Sequence, residues 1–173
     1  LQLLEARGEE PIVDEDLATV WNDLGVLYHV QGLLDKAEPF LLKALDYRKE
    51  SLGEDHGDTL TTLNNLACLR FWQGRYDESE SLHQDVLKER RTVGEHYRSV
   101  GTTLNNLSAV LRDQGRHSEA LDASRSALKI FKGSFGDPHP LTTTALRTHV
   151  RLLLRMDDPD RRGAANSLQH VLE

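Results

Sequence analysis

One five-residue string returns three times along the chain, as Trp21-Asn22-Asp23-Leu24-Gly25, Leu63-Asn64-Asn65-Leu66-Ala67 and Leu104-Asn105-Asn106-Leu107-Ser108, at intervals of 42 and 41 residues. An interval of this length marks a stack of equal supersecondary units, because one unit cannot bury its apolar face without a neighbour. Other landmarks keep the same beat. Gln31-Gly32, Gln73-Gly74 and Gln114-Gly115 follow the first half of each unit, and Gly53, Gly94 and Gly136 follow the second. The residue missing from the middle unit falls just before Gly94, in a linker. A loop absorbs a deletion there, whereas a helix would turn it into a rotation of about 100°.

Each unit reads as two helices. The first carries apolar or small residues at i, i+3, i+4 and i+7, as in Trp21, Leu24, Gly25 and Tyr28 or Leu104, Leu107, Ser108 and Leu111, the period of one buried helical face. Gly25, Ala67 and Ser108 give room where two helices cross. The second helix repeats the pattern with Ala37, Leu41, Ala44 and Leu45, then with Ala120, Ala127 and Leu128; the middle copy has Ser79 and His83 in place of Ala37 and Leu41. Asp35 with Glu38 and Asp77 with Glu80 have the spacing of a carboxylate cap and a first-turn acid, with Pro39 in the opening turn. Arg48-Lys49, Arg90-Arg91 and Lys129 with Lys132 suit the negative end of a helix dipole.

These signals predict an all-α, right-handed α-solenoid of about four helix pairs in a single domain spanning residues 1–173. The units fall at about 14–55, 56–97, 98–139 and a degenerate 140–172. The opening Leu1-Gln2-Leu3-Leu4-Glu5-Ala6 reads as the last turns of a helix already under way, so residues 1–7 are expected to end a preceding helix in a longer array. The net charge of −7, with Lys and Arg scattered, argues against a nucleic-acid partner. No apolar run is long enough for a membrane span. The single cysteine, Cys68, rules out an internal disulfide and fits a cytoplasmic protein held together by packing.

The run Lys36-Ala37-Glu38-Pro39-Phe40-Leu41-Leu42-Lys43-Ala44-Leu45, the segment Leu52-Gly53-Glu54-Asp55-His56-Gly57-Asp58-Thr59, and the Gln-Gly and Leu-Asn-Asn-Leu strings together resemble tetratricopeptide (TPR) repeats of the kinesin light chain type. The resemblance implies a scaffold or adaptor that holds a peptide in the concave groove formed by the first helix of each unit. Carried over position by position, it places Asn22, Asn64 and Asn105 in the groove, with Thr19, Thr61 and Thr102 one turn earlier and Val26, Cys68 and Ala109 one turn later. Arg147 stands where a fourth asparagine would be, and Asp23 replaces the second asparagine of the first pair.

The helical wheel supports that face independently. Thr61, Asn64, Cys68, Phe71 and Trp72 gather in one arc, opposite Leu63, Leu66, Ala67 and Arg70. An asparagine amide both donates and accepts, so a row of them can clamp an extended backbone; it can equally bond to neighbouring helices and hold the superhelix in register. Two adjacent aromatics exceed what packing needs, which makes Phe71 and Trp72 candidates for a partner's anchor site. His29 and Arg112 occupy the matching places in the neighbouring units. The function expected is protein–protein interaction through a peptide or linear segment. The competing arrangement is an intramolecular regulatory or self-association module, a homo-oligomer burying Phe71 or Trp72.

Catalytic chemistry finds no footing in the sequence. His56, His96 and His139 recur at the repeat interval and read as linker residues that cap the next helix. No metal-ligand spacing and no Gly-rich phosphate loop occurs, and Cys68 lacks a neighbouring base. The chain is therefore expected to be no enzyme, with no cofactor and no metal.

Overall fold

The computed structural model describes residues 14–92, 97–136 and 139–156. Within them lie seven helices and no strand: α1 Asp14–Val30, α2 Leu34–Leu52, α3 Gly57–Trp72, α4 Tyr76–Thr92, α5 Tyr97–Asp113, α6 His117–Phe135 and α7 Pro140–Met156. They make three antiparallel pairs and the first helix of a fourth. The expected second helix of the last pair, the segment 1–7, His96 and Gly94 lie outside the described residues.

The Gln-Gly strings close the first helix of each pair in one repeated geometry. Gly32, Gly74 and Gly115 take φ of 75°, 76° and 81°, the left-handed region that a side chain would strain. The amide after each glycine donates five residues back, Leu33 to Tyr28, Arg75 to Arg70 and Arg116 to Leu111, at 2.8–2.9 Å. Each glycine amide donates to the carbonyl three residues earlier, which completes a Schellman cap. At the other end of the unit, His56 Nδ1 accepts from the Asp58 amide and His139 Nδ1 from the Leu141 amide, both at 3.2 Å. These two linker histidines cap the helices that follow them.

Two sequence readings of the second helix need correction. Asp35 and Asp77 are not caps: α2 starts at Leu34 and α4 at Tyr76, so both acids lie in the first turn, and Leu33, the residue before α2, makes no side-chain cap bond. Glu38 and Glu80 turn toward the next unit instead, as described below. Pro39 sits inside α2, one turn past its start, where it removes one internal hydrogen bond.

Small residues govern the approach within each pair. A methyl group added at Gly25 would stand 2.6 Å from Cγ of Leu41, closer than packed carbons approach. In the next units Ala67 faces the α4 helix carrying His83, and Ser108 the α6 helix carrying Ser124, each at the position of Leu41. The buried apolar side chains form two clusters. One joins Ala37, Leu41 and Leu45 to Leu66 and Leu69; the other runs from Leu87 through α5 and α6 to Leu152 and Leu153. Between them α4 buries Ser79 and His83. Ser79 Oγ donates to the Ala67 carbonyl at 2.7 Å, but both ring nitrogens of His83 are buried without a partner. Burial, aided by the nearby Arg90 charge, holds the His83 pKa down to about 4.

Two outcomes follow for stability. Gly25→Ala is expected to cost about 1–3 kcal/mol through overpacking against Leu41, read as a shift in the urea midpoint, and Leu41→Val should recover part of it. His83 is neutral when folded and titrates at its ordinary 6.5 when unfolded, so its contribution is intact above pH 6.5 and is lost as pH falls toward 4. The wild type should lose about 2 kcal/mol from this group between pH 7 and 5. His83→Leu, which copies Leu41, should abolish that part of the pH dependence in the same urea series.

Candidate binding groove

First helices touch their successors directly, α1 with α3, α3 with α5 and α5 with α7, whereas the second helices α2, α4 and α6 do not touch one another. The first helices therefore form the inner, shorter-radius layer of the stack, and their free face is its concavity.

Side-chain bonds between successive inner helices hold that layer in register. Asn65 Nδ2 donates to Asn22 Oδ1 at 3.0 Å, Thr103 Oγ1 to Asn64 Oδ1 at 3.2 Å, and Asn106 Nδ2 to Cys68 Sγ at 3.3 Å. Asn22 and Asn64 are buried, so their carbonyl oxygens already serve the superhelix. The series stops at Asn105, whose Oδ1 is buried without a partner. The positions that would supply its donor are Ala145, which has none, and Thr148, whose hydroxyl donates to the Thr144 carbonyl.

A second set of bonds was not legible as such in the sequence. Arg48 and Arg90, read as dipole partners, are buried. Arg48 donates to Thr62 Oγ1 at 2.7 Å and the Asp58 carbonyl at 3.1 Å in α3, and to Thr19 Oγ1 at 3.1 Å in α1. Arg90 repeats the bridge with Thr103, the Ser99 carbonyl and Thr61. In the third unit the pair becomes Phe131 and Ala145, members of one apolar cluster. Thr19 and Thr61, expected to face a ligand, are thus tied to these arginines, while Thr102 donates to the Arg98 carbonyl.

Toward the turns, Gln73 Nε2 donates to Glu38 and Gln114 Nε2 to Glu80, at 2.8 and 3.0 Å, each reaching back to the preceding second helix. Arg70 also pairs with Glu38 at 2.7 Å, and Arg116 with Glu80 at 2.7 Å. The Arg70 and Gln73 hydrogen bonds hold the Glu38 carboxyl down to about 2. Its stabilisation is present above about pH 4.5 and is lost as pH falls toward 2.

The free face carries the aromatics and a row of arginines. Trp72 is 65% exposed and leans toward His29 of the preceding unit, ring centres 6.3 Å apart. Phe71 is half-buried between Trp72 and Tyr76, 5.6 Å from each. Val30, one unit before Trp72, is exposed as well, and burial lowers the pKa of His29, which keeps that rim uncharged near neutrality. Val26, Cys68 and Ala109 are partly buried; burial pushes the Cys68 thiol up to about 11, far from a reactive thiolate. Arg112 is engaged by Asp113 at 2.6 Å. Arg147 is exposed and lines an open cleft of about 390 Å³ with His139, Pro140, Thr143 and Thr144. Arg151 and Arg155 extend it along α7, also exposed. They occupy the groove positions of Ala109 and Asp113 one unit on, a signal masked in the sequence by the degeneracy of the last repeat.

Among the described residues no His, Cys, Asp and Glu side chains gather as a metal site would require, and no helix is long and apolar enough to cross a membrane.

Antiparallel helix pairs stacked with their first helices inward define an α-solenoid of the protein-interaction class. Models of the tetratricopeptide repeat match residues 16–88, 68–133 and 99–172, and the chain belongs to that family, whose repeats mediate protein–protein interaction on a non-catalytic scaffold. The crystal structure of BtubC (BKLC) from P. vanneervenii is similar with a TM-score of 0.81, at 21% identity, over 98% of this chain and 68% of that one. The nearly identical TPR-like repeats of a kinesin light chain candidate from Podosopora anserina give 0.78 at 16% identity, over 93% of this chain and 76% of that one. The N-terminal domain of stress-induced protein-1 from C. elegans gives 0.55 at 20% identity, over 80% and 98%. Among curated proteins none matches the chain.

Arg48→Ala removes a buried guanidinium that joins two inner helices and should cost about 2–3 kcal/mol in urea unfolding. Arg48→Phe with Thr62→Ala, which copies Phe131 and Ala145, should recover most of that loss. An unchanged midpoint for the single variant would refute the bridge.

Proposed function

We infer that the concave face holds an extended segment of a partner protein laid across α1, α3, α5 and α7, so that the chain acts by binding in the cytoplasm and not by catalysis. The observation that carries this reading is the contrast along the inner layer. Side chains that face the stack are tied up in the bridges described above, while Trp72, Val30, Arg147, Arg151 and Arg155 stay exposed at equivalent or adjoining positions of successive units.

The groove then has two chemistries. Trp72, flanked by His29, Phe71 and Val30, offers an apolar rim that an inserted aliphatic or aromatic side chain would cover. The three arginines, four residues apart and so about 6 Å from one to the next along the axis, span the width of the groove at α7. They give a protein of net charge −7 a local wall suited to carboxylates. Asn22 and Asn64 shape the floor; the Asn64 amide nitrogen, unlike its oxygen, is left to donate to a peptide carbonyl. Thr19, Thr61, Thr102, Val26, Cys68, Asn105, Ala109 and Arg112 line the remainder.

The test is fluorescence anisotropy of labelled peptides that combine one large apolar residue with acidic or with basic neighbours. Acidic versions should bind, with affinity falling as salt rises. Trp72→Ala should weaken binding about 10- to 30-fold, and Arg147→Glu with Arg151→Glu by at least as much, with thermal midpoints unchanged. Equal affinity of wild type and both variants would sink the groove reading. A dimer that Trp72→Ala dissolves, seen by light scattering, would favour self-association instead.

A further inference from the structure

The four first helices end on residues that differ in kind. At intervals of 42, 41 and 42 residues, Val30, Trp72, Asp113 and Arg155 correspond to one another. The first three are the last residues of α1, α3 and α5, and Arg155 is the last but one of α7. All four are exposed, Val30 and Trp72 by 77% and 65%. Successive units therefore set two apolar groups, an acid and a base along one line at the rim of the groove. Asp113 accepts from Arg112 Nε at 2.6 Å, so that step of the line is nearly neutral. Arg155 is backed along α7 by the exposed Arg151 and Arg147. The line also has a spacing. First helices touch directly, which puts their axes about 10 Å apart, and an extended chain advances about 3.3 Å per residue. A segment laid across the helices thus meets a new unit at about every third residue.

We propose that the partner segment is read at this beat, with a large apolar residue on Trp72 and a pair of acidic residues about six positions away, facing Arg155 and Arg151. A second apolar residue, about three positions from the first and on the side away from the acids, covers Val30. Between anchor and acids, the residue over Asp113 is uncharged or basic. Such a register presupposes the groove-bound segment inferred above and adds the order and spacing of its residues. Charge carries the discrimination. An acid about three positions from the anchor meets the Asp113 carboxylate, whose arginine is already engaged. The same acid about six positions away meets guanidinium groups that can donate to a carboxylate through paired N–H groups.

The register is tested by fluorescence anisotropy on a peptide series with a serine and glutamine background. Each peptide carries two leucines about three positions apart, with two adjacent glutamates placed roughly two to nine positions beyond either leucine. Wild-type affinity should peak about six positions from the nearer leucine, at least about fivefold above its value at three. Asp113→Lys, which puts a cation where α7 has Arg155, should raise the affinity at three by a similar factor. Arg151→Glu with Arg155→Glu should remove the peak at six and leave a glutamate-free peptide bound as tightly as by the wild type. Affinity that does not vary with spacing, or an Asp113→Lys profile that matches the wild type, overturns the register while the groove reading stands. Failure of every peptide to bind overturns both.

Discussion

The stack depends on one kind of contact, the reach of a second-helix side chain across two successive first helices. Arg48 touches α1 and α3 at once, and Arg90 touches α3 and α5. A charge at this depth is tolerable only because hydroxyls and carbonyls surround it. Since those partners belong to different units, the guanidinium bonded through its terminal nitrogens fixes how far one unit is turned and shifted relative to the next. Where the third unit drops the charge, Phe131 fills the site and crowds Gly101, to whose added methyl it would come within 2.8 Å. Packing takes over the registering role there from hydrogen bonding.

That arrangement decides what the inner face has left to offer. Amide oxygens of Asn22 and Asn64 and the hydroxyls of Thr19 and Thr61 are committed to neighbouring helices, so the groove's free chemistry lies at its rim and at its far end. The two regions differ in character. Around Trp72 the surface is apolar and uncharged near neutrality; along α7 it is cationic, whereas Arg70, Arg112 and Arg116 are each paired with a carboxylate. A segment crossing the groove would meet these in a fixed order and so could be read for direction.

Much of this was legible in the sequence because it is local or periodic. The interval of the Leu-Asn-Asn-Leu strings gave the units, the 3.6-residue pattern gave the buried faces, and Gln-Gly marked turns whose left-handed glycine follows from backbone sterics alone. Gly25 was recognisable as a site of close helix approach from its place in the pattern. Tertiary partners were hidden. Glu38 has the spacing of a first-turn acid, but Gln73 and Arg70, more than thirty residues away, hold it in the structure. Arg48 sits near a helix end like any dipole partner, and only the arrival of Thr62 from the next unit reveals its burial. His83 looks like a polar lapse in an apolar row and proves to be a fully enclosed ring. Arg151 and Arg155 escaped notice because the repeat that would have flagged their positions has drifted furthest from the pattern.

The absence of contact between α2, α4 and α6 has a mechanical consequence. Successive units are joined where each second helix packs on the next first helix and by the bridges among the first helices, while one second helix does not reach the next, so a change in curvature would be taken up at that outer edge. A guest of the kind proposed, lying in the hollow, would act on that curvature.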